Sequence, residues 1–120
     1  MRNFREYHVW VKSIQIAKEV YEVSSEFPET ERFGLISQVR RAAVSISSNI
    51  AEGCGRNSPQ DFARMLEIAL GSCFEVESQL YLAAELHFTN EDRSHPVVSE
   101  LKMCQKQLHS LIEKLRRAKK

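Results

Sequence analysis

Apolar residues recur at intervals of three and four along four separate stretches of this chain, and that spacing restricts the fold more than any other feature. The cleanest series is Val97, Leu101, Cys104, Leu108, Leu111 and Leu115, at spacings of 4, 3, 4, 3 and 4. A helix completes a turn in about 3.6 residues, so such a series lays a stripe along one face, whereas a strand would alternate by two. Four amphipathic helices can bury their stripes only against one another. Four glycines and three prolines in 120 residues leave little of the turn chemistry that a β-rich chain needs. The expected fold is all-α, an antiparallel up-down-up-down four-helix bundle, forming a single domain over residues 1–120.

The helices are expected at about 7–26, 35–53, 59–87 and 96–117. The first carries two apolar rows, Tyr7, Trp10, Ile14, Ala17 and Tyr21 beside Val9, Ile16, Val20, Val23 and Phe27, and is closed by Pro28. In the second, Ile36, Val39, Ala43, Ile46 and Ile50 form the stripe, and Gly53 or Gly55 is expected to stop the helix in a left-handed conformation. Asn57-Ser58-Pro59 reads as the start of the third, with Ser58 as N-cap, Pro59 at the first helical position and Asp61 in the first turn. Its stripe is Phe62, Leu66, Ala69, Cys73, Val76, Leu80 and Ala83. Thr89-Asn90-Glu91-Asp92 is expected as a turn, with the fourth helix beginning near Pro96.

Helices 2 and 3 each carry a second row at the same spacing. On helix 2 it is Gln38, Ala42, Ser45, Asn49, Glu52 and Arg56; on helix 3 it is Met65, Ile68, Ser72, Glu75, Gln79, Leu82 and Leu86. Each row lies roughly 60° around the helix from its core stripe, so its polar groups are expected to be at least half buried. Buried amides and carboxylates need partners, either within the fold or across a subunit boundary. Gly71 costs about 1 kcal/mol in mid-helix relative to alanine, and implies the close approach of another backbone.

Seventeen Lys/Arg against sixteen Asp/Glu give a net charge of +1, so no global basic field marks a nucleic-acid binder. The charge is uneven, however. Residues 100–120 hold seven basic side chains (Lys102, Lys106, Lys114, Arg116, Arg117, Lys119 and Lys120) against Glu100 and Glu113. This is either a solvated helix end whose cations suit the dipole or a phosphate-binding patch. Arg40, Arg41 and Arg56, with Lys114, Arg116 and Arg117, are the candidate nucleic-acid contacts, because guanidinium forks fit phosphates. Cys54, Cys73 and Cys104 are odd in number and widely spaced, as expected of reduced thiols in a cytoplasmic protein. No apolar run is long enough to cross a membrane, and no membrane partner is expected.

No residue pattern calls for a metal, a cofactor or a small-molecule substrate. A di-iron bundle site needs paired Glu-x-x-His motifs, and Asp92-Arg93-Ser94-His95 is a single near match in an expected turn. His8, His87 and His109 fall on outward, boundary or helix-end positions. Gly53-Cys54-Gly55-Arg56 lacks the strand and the Gly-Lys-Ser/Thr ending of a phosphate loop. Arg56 beside Cys54 could lower its thiol pKa, but no histidine is near in sequence. Glu52 and Glu75 admit two readings, an acid–base pair across helices 2 and 3 or members of an ion network with Arg40, Arg41, Arg56 or Arg64.

The block Val44-Ser45-Ile46-Ser47-Ser48-Asn49-Ile50-Ala51-Glu52-Gly53-Cys54-Gly55-Arg56 strongly resembles the signature of the four-helix bundle proteins encoded in bacterial 23S rRNA intervening sequences. Trp10, Phe27-Pro28, Gln38 with Arg40-Arg41, Ile68-Ala69, Gly71-Ser72, Glu75, Gln79 and Leu80 extend the resemblance over most of the chain. Ser47 and Cys73 stand where the family often has proline and alanine. The resemblance implies a ring-shaped homopentamer without enzymatic activity. It also implies a relation to the accessory variability proteins of diversity-generating retroelements, which bind a reverse transcriptase and nucleic acid. The expectation is therefore an oligomeric scaffold or adaptor that binds a protein or RNA partner, or else a direct RNA binder through the arginines named above. In an assembly, Met65, Val11 and Phe88 are expected between subunits, and Gln38, Ser45, Asn49, Glu52, Gly71, Ser72, Glu75 and Gln79 are expected to set register or an interface.

Overall fold

The computed structural model describes residues 2–118, leaving Met1, Lys119 and Lys120 outside. Four helices follow one another, α1 (His8–Ser24), α2 (Leu35–Cys54), α3 (Pro59–Glu85) and α4 (Glu91–Arg117), with 3-10 turns at Phe4–Glu6 and Glu29–Glu31. Each helix packs on its neighbours in the chain, and α4 returns to α1. The closest packing is between α2 and α3, the loosest between α1 and α4. Cross-helix contacts fix the directions. Lys12 meets Glu100 and Glu26 meets Arg93. Ser45 meets Ser72, and Arg56 meets Met65. Glu77 meets Gln105, and Glu67 meets Arg116. Within each pair of helices the partner's number falls as the residue number rises, so the helices alternate up and down. The result is a rod of 49 × 23 × 19 Å.

The core follows the expected stripe on α3 and, apart from Ile36, which is only partly buried while Leu35 is covered, that on α2; it differs on the other two helices. On α1 the buried row is Val9, Ser13, Ile16, Val20, Val23 and Phe27. Ser13 keeps its place by donating its hydroxyl to Trp10 O at 2.6 Å. The other apolar row is not buried in the core: Ile14 and Tyr21 are exposed, and Tyr7, Trp10 and Ala17 are only partly buried against it. One helix meeting two neighbours at about a right angle has an inner stripe and a flanking one, and periodicity alone does not say which is which. On α4 the fully buried series ends Leu108, Ile112; Leu111 and Leu115 are only partly covered.

Helix α4 begins at Glu91, five residues before Pro96, where the sequence suggested a turn. Asn90 caps it, its side-chain oxygen accepting from Arg93 N at 2.9 Å, and Glu91 and Asp92 suit the positive end of the dipole. Pro96 lacks the N–H that would reach the Asp92 carbonyl. That loss falls among exposed residues, where water can replace the bond. The start of α3 is as read from the sequence, with Ser58 Oγ accepting from Asp61 N at 3.1 Å and Pro59 first in the helix.

The expected glycine stop at the end of α2 is absent. Gly55 has φ −85° and Gly53 lies within the helix; among the described residues the one non-glycine with positive φ is His87 (64°), just past α3. Gly53 has a packing role instead. A Cβ there would stand 2.8 Å from Phe62 Cδ1 and 3.0 Å from Met65 Cβ, so the bare backbone lets α2 close on α3. The adjoining segment completes this end of the rod. Arg2 Nη1 donates to Cys54 O at 3.5 Å and to Arg56 O at 2.7 Å, and its guanidinium lies 4.5 Å from the Phe62 ring centre. The clasp satisfies carbonyls that the end of any helix leaves without partners.

Candidate functional site

The polar row between α2 and α3 is closed at its middle and open at its ends. Ser72 is buried and Ser45 half buried, and their hydroxyls share a hydrogen bond of 2.9 Å. Asn49 Nδ2 donates to Ser45 O at 2.8 Å and to Ser45 Oγ at 2.9 Å, so three residues form one small network. Gln79 Nε2 donates to Glu75 Oε2 at 3.2 Å, while its amide oxygen Oε1 is buried without a partner among the described residues. Gln38, Glu52 and Glu75 lie in solvent rather than half buried as expected.

Glu52 and Glu75 do not face each other. In the register set by Ser45 and Ser72, position 52 lies opposite Met65, about ten residues from Glu75, or roughly 15 Å along the axis. Nor do they join a network between helices. Glu52 pairs at 2.7 Å with Arg56, just past the end of its own helix, and Glu75 bonds Gln79 one turn on. Both proposed roles, acid–base pair and helix-to-helix ion network, are therefore corrected by the antiparallel register.

Gly71 is exposed, and nothing stands within 4 Å of where its Cβ would be. The close backbone expected of it is absent among the described residues. Around it on α3, Ile68, Leu82 and Leu86 are each about half exposed. Of the apolar residues expected between subunits, Val11 is exposed, Phe88 packs 6.0 Å from Phe27 at the boundary, and Met65 is 4% exposed. Met65 lies inside the protomer because Gly53 lets α2 come down on it.

The candidate nucleic-acid contacts do not converge. Arg40 and Arg41 lie in the first half of α2, whereas Arg56, Lys114, Arg116 and Arg117 lie at the far end of the rod. Arg56 is engaged by Glu52 and by Met65 Sδ at 3.7 Å. Arg116 holds Gln60 Oε1 and Glu67, each at 2.8 Å. Lys114 and Arg117 are exposed, and Lys119 and Lys120 lie outside the described residues. Arg40 donates Nε to Ser24 Oγ at 2.8 Å and Nη2 to Tyr21 O at 3.2 Å, and lies 4.5 Å from the Tyr21 ring centre.

That last contact marks a surface that sequence reasoning missed. Tyr21, Arg32, Phe33, Ile36, Ser37, Arg40, Arg41 and Val44 line an open groove of about 480 Å³ between α1 and α2. Phe33 is 90% exposed. The available signal was an aromatic residue belonging to no helical stripe, directly before Gly34 and between two charged stretches. Tyr21 gave none, because its row imitates a core stripe.

Among the described residues, no three His, Cys, Asp or Glu side chains come together as metal ligands would, and no helix is long and apolar enough to cross a membrane. All three cysteines are free and buried. Burial pushes the Cys54 thiol above its ordinary value of 9.0, and nearby Arg2 offsets this only in part, opposite to the activation considered for it.

A family model described as 23S rRNA-intervening sequence protein matches residues 5–110. Among solved structures, the chain is similar to a protein of unknown function from the S23 ribosomal protein family, from Bacteroides thetaiotaomicron. That match has a TM-score of 0.81 and 26% identity, over 88% of this chain and 98% of the other. No curated protein matches the chain.

Proposed function

We propose an assembly role from the premise that the chain belongs to the 23S rRNA-intervening sequence protein family. The protein acts as a non-enzymatic scaffold, a homo-oligomer built through the α2–α3 face that presents its remaining surfaces to a protein or RNA partner in the cytoplasm. The observation that carries this reading is Gly71. A mid-helix glycine costs about 1 kcal/mol relative to alanine, yet no atom of its own chain needs the space. The space suits the backbone of a second subunit, with Ile68 and Leu82 on either side as apolar contacts. The stripe from Ile68 to Leu86 runs about 27 Å along the helix, long enough for a helix-on-helix contact. The resemblance of the signature block supports a ring of five.

An enzymatic reading finds less support. The carboxylates that would serve it are roughly 15 Å apart along the helix axis and each engaged by a residue four positions on. Static light scattering at micromolar concentration is the test. The wild type is expected as an oligomer, and Gly71→Leu or Ile68→Glu as folded monomers. A wild type that stays monomeric removes the scaffold.

A further inference from the structure

The groove between α1 and α2 takes no part in the contact argued above and has a different chemistry. Its cationic lining residues are Arg32, Arg40 and Arg41, and no carboxylate lines it. The nearest acids on the adjoining turn are Glu29, which faces Arg32 at 4.0 Å, and Glu31, which is turned inward to accept from Leu35 N at 3.0 Å. Among the described residues Arg41 makes no side-chain hydrogen bond or ion pair and is exposed. Arg40 is held in place by Ser24 and Tyr21 O, which leaves its remaining N–H groups free in a fixed orientation.

Between these cations stand two aromatic rings. Phe33 is almost wholly in solvent, with the Arg32 guanidinium 5.6 Å from its ring centre, and Tyr21 is half exposed beside Arg40. Leaving a phenylalanine in water forgoes the burial that a side chain of this size normally gains. An aromatic ring flanked by guanidinium groups matches what an unpaired base and its phosphates require, a stacking face with cations beside it. Val44, about half exposed, and Ile36, partly buried, extend the apolar floor. The Ser37 hydroxyl lies in the same lining, where it can pair with a ribose 2′-hydroxyl.

We propose that the groove formed by Tyr21, Arg32, Phe33, Ser37, Arg40 and Arg41 binds single-stranded RNA, with a base stacked on Phe33 and phosphates on Arg32 and Arg41. Arg40 positions the Tyr21 ring and adds a further phosphate donor. This inference adds a site to the scaffold reading and does not depend on it, because the groove is complete within one protomer.

Fluorescence anisotropy with a dye-labelled oligouridylate tests it. Binding is expected at low salt and should weaken as salt rises, since phosphate contacts release counterions. Phe33→Ala should weaken binding about tenfold, the loss of one stacked base. Arg41→Ala should flatten the slope of log affinity against log salt by about 0.7, the share of one contact on a single strand. Three results overturn the proposal: no binding at low salt, Phe33→Ala binding like the wild type, or an RNA duplex binding as tightly as the single strand. Light scattering on Phe33→Ala separates the two readings. An unchanged assembly mass supports an RNA groove, whereas a drop in mass assigns Phe33 to a subunit contact and overturns it. A wild type found monomeric yet binding oligouridylate supports the groove while removing the scaffold.

Discussion

Replacing Gly53 by alanine puts the packing account of α2 on α3 at risk, because two effects of known sign oppose each other. In an ordinary mid-helix position the change favours the folded state by about 1 kcal/mol, through helix propensity. Here the new methyl would sit 2.8 Å from Phe62 Cδ1 and 3.0 Å from Met65 Cβ. Neither atom is the free end of a mobile chain. Phe62 is wholly buried and held by the edge of Tyr7, 5.7 Å away at 89°, and by Arg2 over its face. Met65 Cβ is one bond from the α3 backbone. Overpacking costs about 1–3 kcal/mol, and the rigid surroundings place this site at the upper end. After the propensity gain, Gly53→Ala should lose about 2 kcal/mol, close to a thirtyfold shift toward the unfolded state. For a chain of this size the melting temperature should fall by roughly 8 °C. Urea unfolding followed by circular dichroism, at one protein concentration throughout, measures it. The double variant Gly53→Ala/Phe62→Leu should lose less than the sum of its single changes, because the smaller side chain vacates the contested space. A Gly53→Ala protein as stable as the wild type would refute the close approach.

The N-terminal clasp and the buried thiols lead to two more expectations. Arg2→Ala removes a donor to the Cys54 and Arg56 carbonyls and a cation over Phe62; it should cost about 1–2 kcal/mol in the same unfolding assay, and wild-type stability would show the clasp to be idle. Burial raises the Cys54 thiol above 9.0 and the Tyr7 phenol above 10.0, in each case by disfavouring the ionised form. The unfolded chain therefore sheds these protons first, and the stability they give is complete below pH 9 and lost as pH rises through the folded-state values. Unfolding free energy should thus decline as pH rises from about 9 to 11, and a flat profile over that range would contradict the burial of these groups.

Most of the fold was legible because helix periodicity is a local property. Ser58-Pro59 and the stripes of α2 and α3 are set by neighbours in sequence, and the structure keeps them. The misreadings arose where the deciding neighbour is distant. Two equally apolar rows on α1 cannot be ranked until α2 and α4 are in place. Gly53 looks like a stop until Phe62 is set against it, and Pro96 looks like a start until Asn90 caps the helix ahead of it. The polar row was recognisable, but its satisfaction was not: the Ser45–Ser72 bond depends on register, and the same register separates Glu52 from Glu75. The groove at Phe33 was least legible, since Arg32, Phe33, Tyr21 and Arg40 come together only through the α1–α2 crossing.

Because four helices run up and down with three reversals between them, residues 2 and 118 both emerge at the end of the rod where Arg2 clasps α2. Phe33 and the Pro28–Gly34 connection lie toward the opposite end of a molecule 49 Å long. A fluorophore, a surface tether or a fused domain joined at either terminus would thus hold every copy the same way round, with the aromatic groove pointing outward and unshielded.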